Sequence, residues 1–93
     1  MTQAIASVQI DNERVNVTEW RFAPGAETGW HRHERDYVVV PQTTGKLLLK
    51  TKGGDSFSEL VSGISYFRKA GVEHNVINAN DGEFVFVEIE IKG

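Results

Sequence analysis

With 93 residues, the chain has room for one domain and not for two, so we expect a single domain over residues 1–93. The net charge is −3 and the ten lysines and arginines are scattered, which argues against nucleic-acid binding because phosphate recognition needs a clustered basic face. The absence of cysteine excludes disulfides, thiolate metal sites and a cysteine nucleophile.

Residues 1–10 lack the basic start and the long apolar run of a signal peptide. No stretch approaches the roughly 20 apolar residues that a membrane helix needs. We therefore expect a cytoplasmic protein without a membrane segment. Since a domain this short buries only a thin core, pairing of two copies as a homodimer would stabilise it.

Short runs of alternating or β-branched residues, separated by Gly, Pro, Asn and Asp, predict eight strands along the chain. In chain order they cover residues 5–10, 14–22, 30–40, 46–51, 56–61, 64–68, 75–78 and 83–91. Several of the intervening segments have the residues of hairpin turns. Strands at such short and even spacing predict an all-β sandwich or barrel.

The last predicted strand has two different faces. Four aliphatic residues alternate with two phenylalanines and two glutamates: Val85, Val87, Ile89 and Ile91 against Phe84, Phe86, Glu88 and Glu90. We expect the aliphatic face to pack on the core. The other face would then be half covered, by a partner subunit, with Glu88 and Glu90 exposed.

The three histidines stand where they can converge. His31 and His33 are two apart on a predicted strand, so their side chains point to the same side. His74 begins a later strand. Imidazoles from two neighbouring strands can meet at one divalent ion, and a barrel of roughly eight strands is wide enough for one small ligand. A His-x-His pair alone is more often a surface or packing feature than a metal site. The residues around the pair are therefore needed to distinguish the two.

Two glycine-framed motifs surround these histidines. Five residues separate Gly25 from His31, and the first motif closes at Gly45. The second motif consists of Gly63, Gly71, His74 and Asn78. In this order and spacing the sequence resembles the cupin superfamily. The resemblance implies a double-stranded β-helix, or jelly-roll, barrel of about eight strands, in which His31, His33 and His74 bind a divalent metal ion and Asn78 has a structural role.

The sequence departs from the cupin pattern at two positions. Lys69 replaces the usual proline, which matters little beyond the stiffness of a turn. The usual glutamate ligand is missing; strand alternation places Tyr37 near its position and turns Glu34 and Asp36 to the opposite side. Three neutral imidazoles leave the charge of an ion uncompensated, which makes bound water more acidic. The pattern is similar to the three-histidine centres of thiol dioxygenases, where a tyrosine also lies near the metal.

Tyr37 and Arg35 are the candidate catalytic residues, because alternation places both on the face of His31 and His33. Tyr37 is either an acid, base or orienting group or a core aromatic residue. Arg35 either binds a substrate carboxylate or reaches solvent at the barrel mouth. Imidazole ligands alone do not determine which metal binds, and Fe, Ni, Zn, Cu and Mn are all candidates.

Within the superfamily, the segments WRFAPG, DYVVVP and GVEHNVIN resemble small single-domain bacterial cupins of β-alanine degradation. This resemblance implies an association with amino-acid catabolism. Our leading hypothesis is a metal-dependent enzyme that acts on a small polar metabolite. Its reaction could be that of a dioxygenase, an isomerase or a decarboxylase. The alternatives are a non-catalytic cupin that binds a metal or small ligand as a pathway accessory, and a dimeric scaffold with a vestigial pocket.

Overall fold

The computed structural model describes residues 2–93, which contain nine strands. The strands are β1 (Ile5–Asp11), β2 (Val15–Phe22), β3 (His31–Arg32), β4 (Tyr37–Pro41), β5 (Gly45–Thr51), β6 (Gly54–Leu60), β7 (Tyr66–Arg68), β8 (Glu73–Asn78) and β9 (Phe84–Ile91). The described residues form no helix that is long and apolar enough to cross a bilayer. The all-β prediction is therefore confirmed, with one strand more than expected.

The strands form two antiparallel sheets that enclose the core. The larger sheet has the order β1-β2-β9-β4-β7 and the smaller sheet the order β3-β8-β5-β6. Both sheets contribute buried side chains to one apolar cluster, including Phe22, Val39 and Phe84 from the larger sheet and Leu47 and Val76 from the smaller one. Each strand therefore turns one set of alternate residues towards the space between the sheets.

The predicted strand over residues 30–40 is two strands in the structure. β3 belongs to the smaller sheet and β4 to the larger one, and residues 33–36 carry the chain from one sheet to the other. Because two-residue alternation holds only while a strand continues, it does not extend through this crossing. Arg35 lies in the crossing and is exposed. The inward placement of Arg35 was therefore wrong, and its side chain reaches solvent.

The orientation predicted for β9 was also wrong. Phe84 and Phe86 belong to the core and Glu88 is only 9% exposed, whereas Ile91 is 40% exposed. β9 is the central strand of the larger sheet and has apolar residues on both faces, so alternation alone could not identify the inner face. The rings of Phe84 and Phe86 pack in the core, and Glu88 also points inwards because it shares a face of β9 with them.

An apolar row crosses the outer face of the larger sheet as a consequence of this orientation. Strand register aligns Ile10, Val17, Ile89, Val38 and Phe67, one from each of the five strands. We call this set the outer apolar row. Its two ends, Ile10 and Phe67, are 48% and 49% exposed. This surface is more apolar than the solvent-facing side of an ordinary antiparallel sheet.

Asn78, the last residue of the second glycine-framed motif, is a buried structural residue. Its side-chain amide donates to the carbonyl oxygens of Phe22, Ala23 and Gly82. Its Oδ1 accepts from the backbone N–H of Asn80 at 2.9 Å. The side chain thus ties the end of β2 to the turn between β8 and β9, since each buried polar group needs a partner.

Candidate metal centre

Strand pairing brings the three histidines together. β3 pairs with β8 so that His31 lies directly opposite His74, and opposite residues of an antiparallel pair project to the same face. His33 follows β3. Its backbone N–H donates to the carbonyl of Val72 at 2.8 Å, and its carbonyl accepts from the N–H of Gly71 at 2.7 Å. The loop before β8 therefore fixes His33 beside the other two histidines.

The imidazole nitrogens lie at the spacing that metal ligands require. The Nε2 atom of His33 is 3.0 Å from that of His31 and 3.2 Å from that of His74. Two nitrogens that each lie about 2.1 Å from one ion, at a right angle, are roughly 3.0 Å apart. One ion can therefore contact all three rings without a large movement of the backbone.

The groups next to Nδ1 of His31 and of His33 favour a free lone pair on Nε2 of these two rings. Nδ1 of His31 lies 2.9 Å from the carbonyl oxygen of Gly29, which only accepts, so Nδ1 carries the proton. Nδ1 of His33 lies 3.6 Å from Oε1 of Glu88, and the ionised form of this carboxyl group favours a proton on that nitrogen as well. The Nε2 lone pairs of His31 and His33 then face each other at 3.0 Å and repel, and a cation between them would relieve the repulsion. The donor set therefore fits a metal ion.

Two of these imidazoles are held in the neutral form that binds metal. Burial, followed by the nearby His31 and His74, lowers the pKa of His33 to about 4. Burial, followed by His31 and Arg68, lowers the pKa of His74 to about 4. Both rings are therefore neutral at neutral pH, and no proton has to leave them before a metal can bind.

A cavity of about 160 Å³ lies over the three histidines, between the two sheets. Trp20, Leu49, Val76 and Phe86 form much of its apolar wall. A mainly apolar pocket with a few convergent polar groups is the usual form of a small-molecule site. The volume suits a small metabolite.

Tyr37 lies in this cavity beside the histidines. Its ring stacks on that of His33, with centroids 3.8 Å apart and planes within 17° of parallel. Burial, followed by the nearby carboxyl of Glu88, raises the pKa of Tyr37. The hydroxyl therefore keeps its proton at neutral pH and is available as a hydrogen-bond donor.

Glu88 and Arg68 also line the cavity, and sequence reasoning missed both. Burial, followed by repulsion from Glu90, raises the pKa of Glu88 to about 7. The alternation of Phe84, Phe86 and Glu88 was the available signal for Glu88. For Arg68, the signal was its place at the end of a short predicted strand inside the second motif, three residues before Gly71. Arg35, which was expected here, does not line the cavity.

A family model described as "Cupin domain" matches residues 18–90, a span that contains both glycine-framed motifs and all three histidines. The chain belongs to the cupin family. Its two facing antiparallel sheets are the jelly-roll barrel of a cupin, so the predicted fold class is confirmed.

Two relatives resemble this cupin over nearly its whole length. The Beta-alanine degradation protein BauB of Pseudomonas aeruginosa is 69% identical over 90 residues, which cover 97% of this chain and 95% of the relative. A cupin domain protein of Bordetella pertussis is 70% identical, with a TM-score of 0.97 over 99% of this chain and 96% of the other.

A more distant structure has the same fold. A cupin-like protein of Thermotoga maritima superposes on 99% of this chain and 71% of its own, with a TM-score of 0.79 at 23% identity. The jelly-roll barrel is therefore common to chains with very different sequences. The fold alone does not determine the reaction, which depends on the residues of the site.

Gly71 offers a test of how backbone conformation supports this cupin centre. Its φ angle is +101°, and a Cβ atom there would meet no atom within 4 Å. A Gly71→Ala variant should therefore lose about 1–2 kcal/mol of unfolding free energy through backbone strain alone. Urea unfolding measures this loss. Gly82→Ala is the matched control, because that glycine also has open space and is not in the left-handed region. Equal stability of the two variants would contradict the prediction.

Proposed function

We propose that this cupin binds one divalent metal ion through His31, His33 and His74, and acts there on a small polar metabolite. The observation that supports this most strongly is the spacing of the three Nε2 atoms, at 3.0 Å and 3.2 Å. Three protein ligands on one side leave coordination positions open to the cavity, as in catalytic metal sites. Fe, Ni, Zn, Cu and Mn all accept imidazole ligands.

The bound ion would polarise an oxygen-containing ligand or lower the pKa of a bound water. The surrounding residues supply the rest of the site. Tyr37 donates its hydroxyl proton in hydrogen bonds and orients the bound molecule. The apolar wall of Trp20 and Phe86 limits the access of water. Glu88 faces Nδ1 of His33, which favours the ligating form of that ring.

The name of the relative from Pseudomonas aeruginosa refers to degradation of β-alanine. We infer that the metabolite belongs to amino-acid catabolism of this kind, and that the chain acts as a single domain in the cytoplasm. The reaction classes we consider are oxygenation, isomerisation and decarboxylation.

One observation favours a second candidate, a non-catalytic cupin that binds a metal or a small ligand. The position of the usual glutamate ligand is taken by Tyr37, whose ring stacks on His33. Oxygen consumption and product analysis with amino acids, thiols and β-alanine-related acids separate the two candidates. Turnover that is lost in a His74→Ala variant supports the enzyme, and tight binding of a panel member without turnover supports the accessory protein.

The metal proposal predicts that protein purified without a histidine tag binds about one equivalent of divalent metal, measured by elemental analysis after dialysis. A His74→Ala variant should lose that metal, because two imidazoles remain. Glu73→Ala is the control, since the carboxylate of Glu73 accepts a hydrogen bond from Nε1–H of Trp30 at 3.3 Å, outside the histidine cluster. Full metal content in His74→Ala, or no metal in the parent protein, would contradict the proposal.

We also propose that two copies pair through the outer apolar row defined above. The row crosses all five strands of the larger sheet, and its central residue is Ile89. Burial of such a row between two sheets would add the apolar contacts that a chain of this length lacks.

The pairing predicts that light scattering gives twice the mass of one chain. Ile89→Glu should give single chains, because a carboxylate would be buried at the centre of the contact. Ile64→Glu is the matched control, since Ile64 is 65% exposed and lies outside the strands. A parent protein with the mass of one chain, or an Ile89→Glu variant that keeps the doubled mass, would refute the pairing.

A further inference from the structure

Arg68 lies beside the histidine cluster because of strand register. β7 pairs with β4 so that Arg68 is directly opposite Tyr37. Opposite residues of an antiparallel pair share a face, and the ring of Tyr37 faces inwards onto His33. The side chain of Arg68 therefore lines the same cavity as the three histidines, at its rim, where the residue is exposed to solvent.

The guanidinium group of Arg68 is positioned by its neighbours. Its Cζ atom lies 4.5 Å from the centroid of the Tyr66 ring, which also lines the cavity. One terminal nitrogen donates to the carbonyl oxygen of Phe67 at 3.1 Å. This stacking and this hydrogen bond restrict a side chain that otherwise carries a large rotamer entropy.

No carboxylate of residues 2–93 pairs with this guanidinium group within salt-bridge distance. Glu90 faces Tyr37 from the other side, two strand spacings or roughly 10 Å from Arg68. Glu88, the carboxyl group that lines the same cavity, lies 3.6 Å from Nδ1 of His33 and forms no salt bridge with Arg68. Arginine has five N–H donors, and the described residues accept a hydrogen bond from one of them. Donors therefore remain for a bound anion.

We propose that Arg68 holds the carboxylate of a small carboxylic acid whose other end reaches the histidine cluster. The planar guanidinium fork matches a carboxylate with two parallel hydrogen bonds, which gives both strength and orientation. Arg68 thus takes the role that sequence reasoning gave to Arg35. The inference names the substrate class of the proposed metal site and rests on that function, but the anion contact itself does not require a metal.

The test is an NMR titration of metal-free and metal-loaded protein with propionate and with propionamide, its uncharged analogue. Propionate should bind at least about tenfold more tightly than propionamide, because a hydrogen bond to a charged group contributes roughly 1.5–3 kcal/mol. Arg68→Ala should weaken propionate binding about tenfold or more and leave propionamide unchanged. Arg68→Lys, which keeps the charge and loses the fork, should fall between the parent protein and Arg68→Ala.

Arg35→Ala is the matched control, since it removes the same charge from the exposed crossing beside the barrel. It should bind propionate as the parent protein does. Unchanged propionate affinity in Arg68→Ala, an equal loss in Arg35→Ala, or no preference of the parent protein for propionate would each overturn the inference.

Metal content separates this inference from the proposed function. Arg68→Ala should keep the melting temperature and the metal content of the parent protein, because Arg68 is not among the three ligands. A parent protein without metal would refute the proposed function, while the metal-free titration would still decide the role of Arg68.

Discussion

The pairing of β3 with β8 is the constraint on which the candidate site depends. This short ladder places His31 opposite His74, and the backbone contacts of His33 with Gly71 and Val72 bring in the third ring. None of the three positions needs a long side chain or a flexible loop to reach the others. The barrel therefore presents the ligands already assembled, and a metal would find them without a costly rearrangement of the chain.

Burial gives this cluster its chemical character. The same enclosure that lowers the pKa of His33 and His74 raises that of Tyr37 and that of Glu88. In each case the low-polarity surroundings disfavour the charged form. At neutral pH the cavity therefore contains the uncharged imidazoles of His33 and His74 and the protonated phenol of Tyr37, with the cationic Arg68 at the rim. A divalent ion would be the largest local charge in such a site, and an anionic substrate would compensate part of it.

Most of the fold and the histidine cluster could be predicted from the sequence, because both depend on the spacing of residues along short segments. Glycine-framed motifs and the interval between His31 and His33 predicted the cluster, and alternation placed Tyr37 correctly. Alternation misplaced Arg35, because the chain crosses from one sheet to the other over residues 33–36 and the strand does not continue there. Glu88 was missed because β9 has apolar residues on both faces. The cross-strand register that opposes Arg68 and Tyr37 is a non-local property, which no single segment of the sequence contains.

The most direct test of the account is X-ray absorption spectroscopy of tag-free protein loaded with one equivalent of zinc or cobalt. This measurement counts the ligands and identifies imidazole rings without any substitution in the chain. The account predicts three imidazole nitrogens about 2.0–2.1 Å from the metal, with the remaining positions filled by water or other non-imidazole ligands. A spectrum with fewer than three imidazoles per metal would contradict the proposed centre.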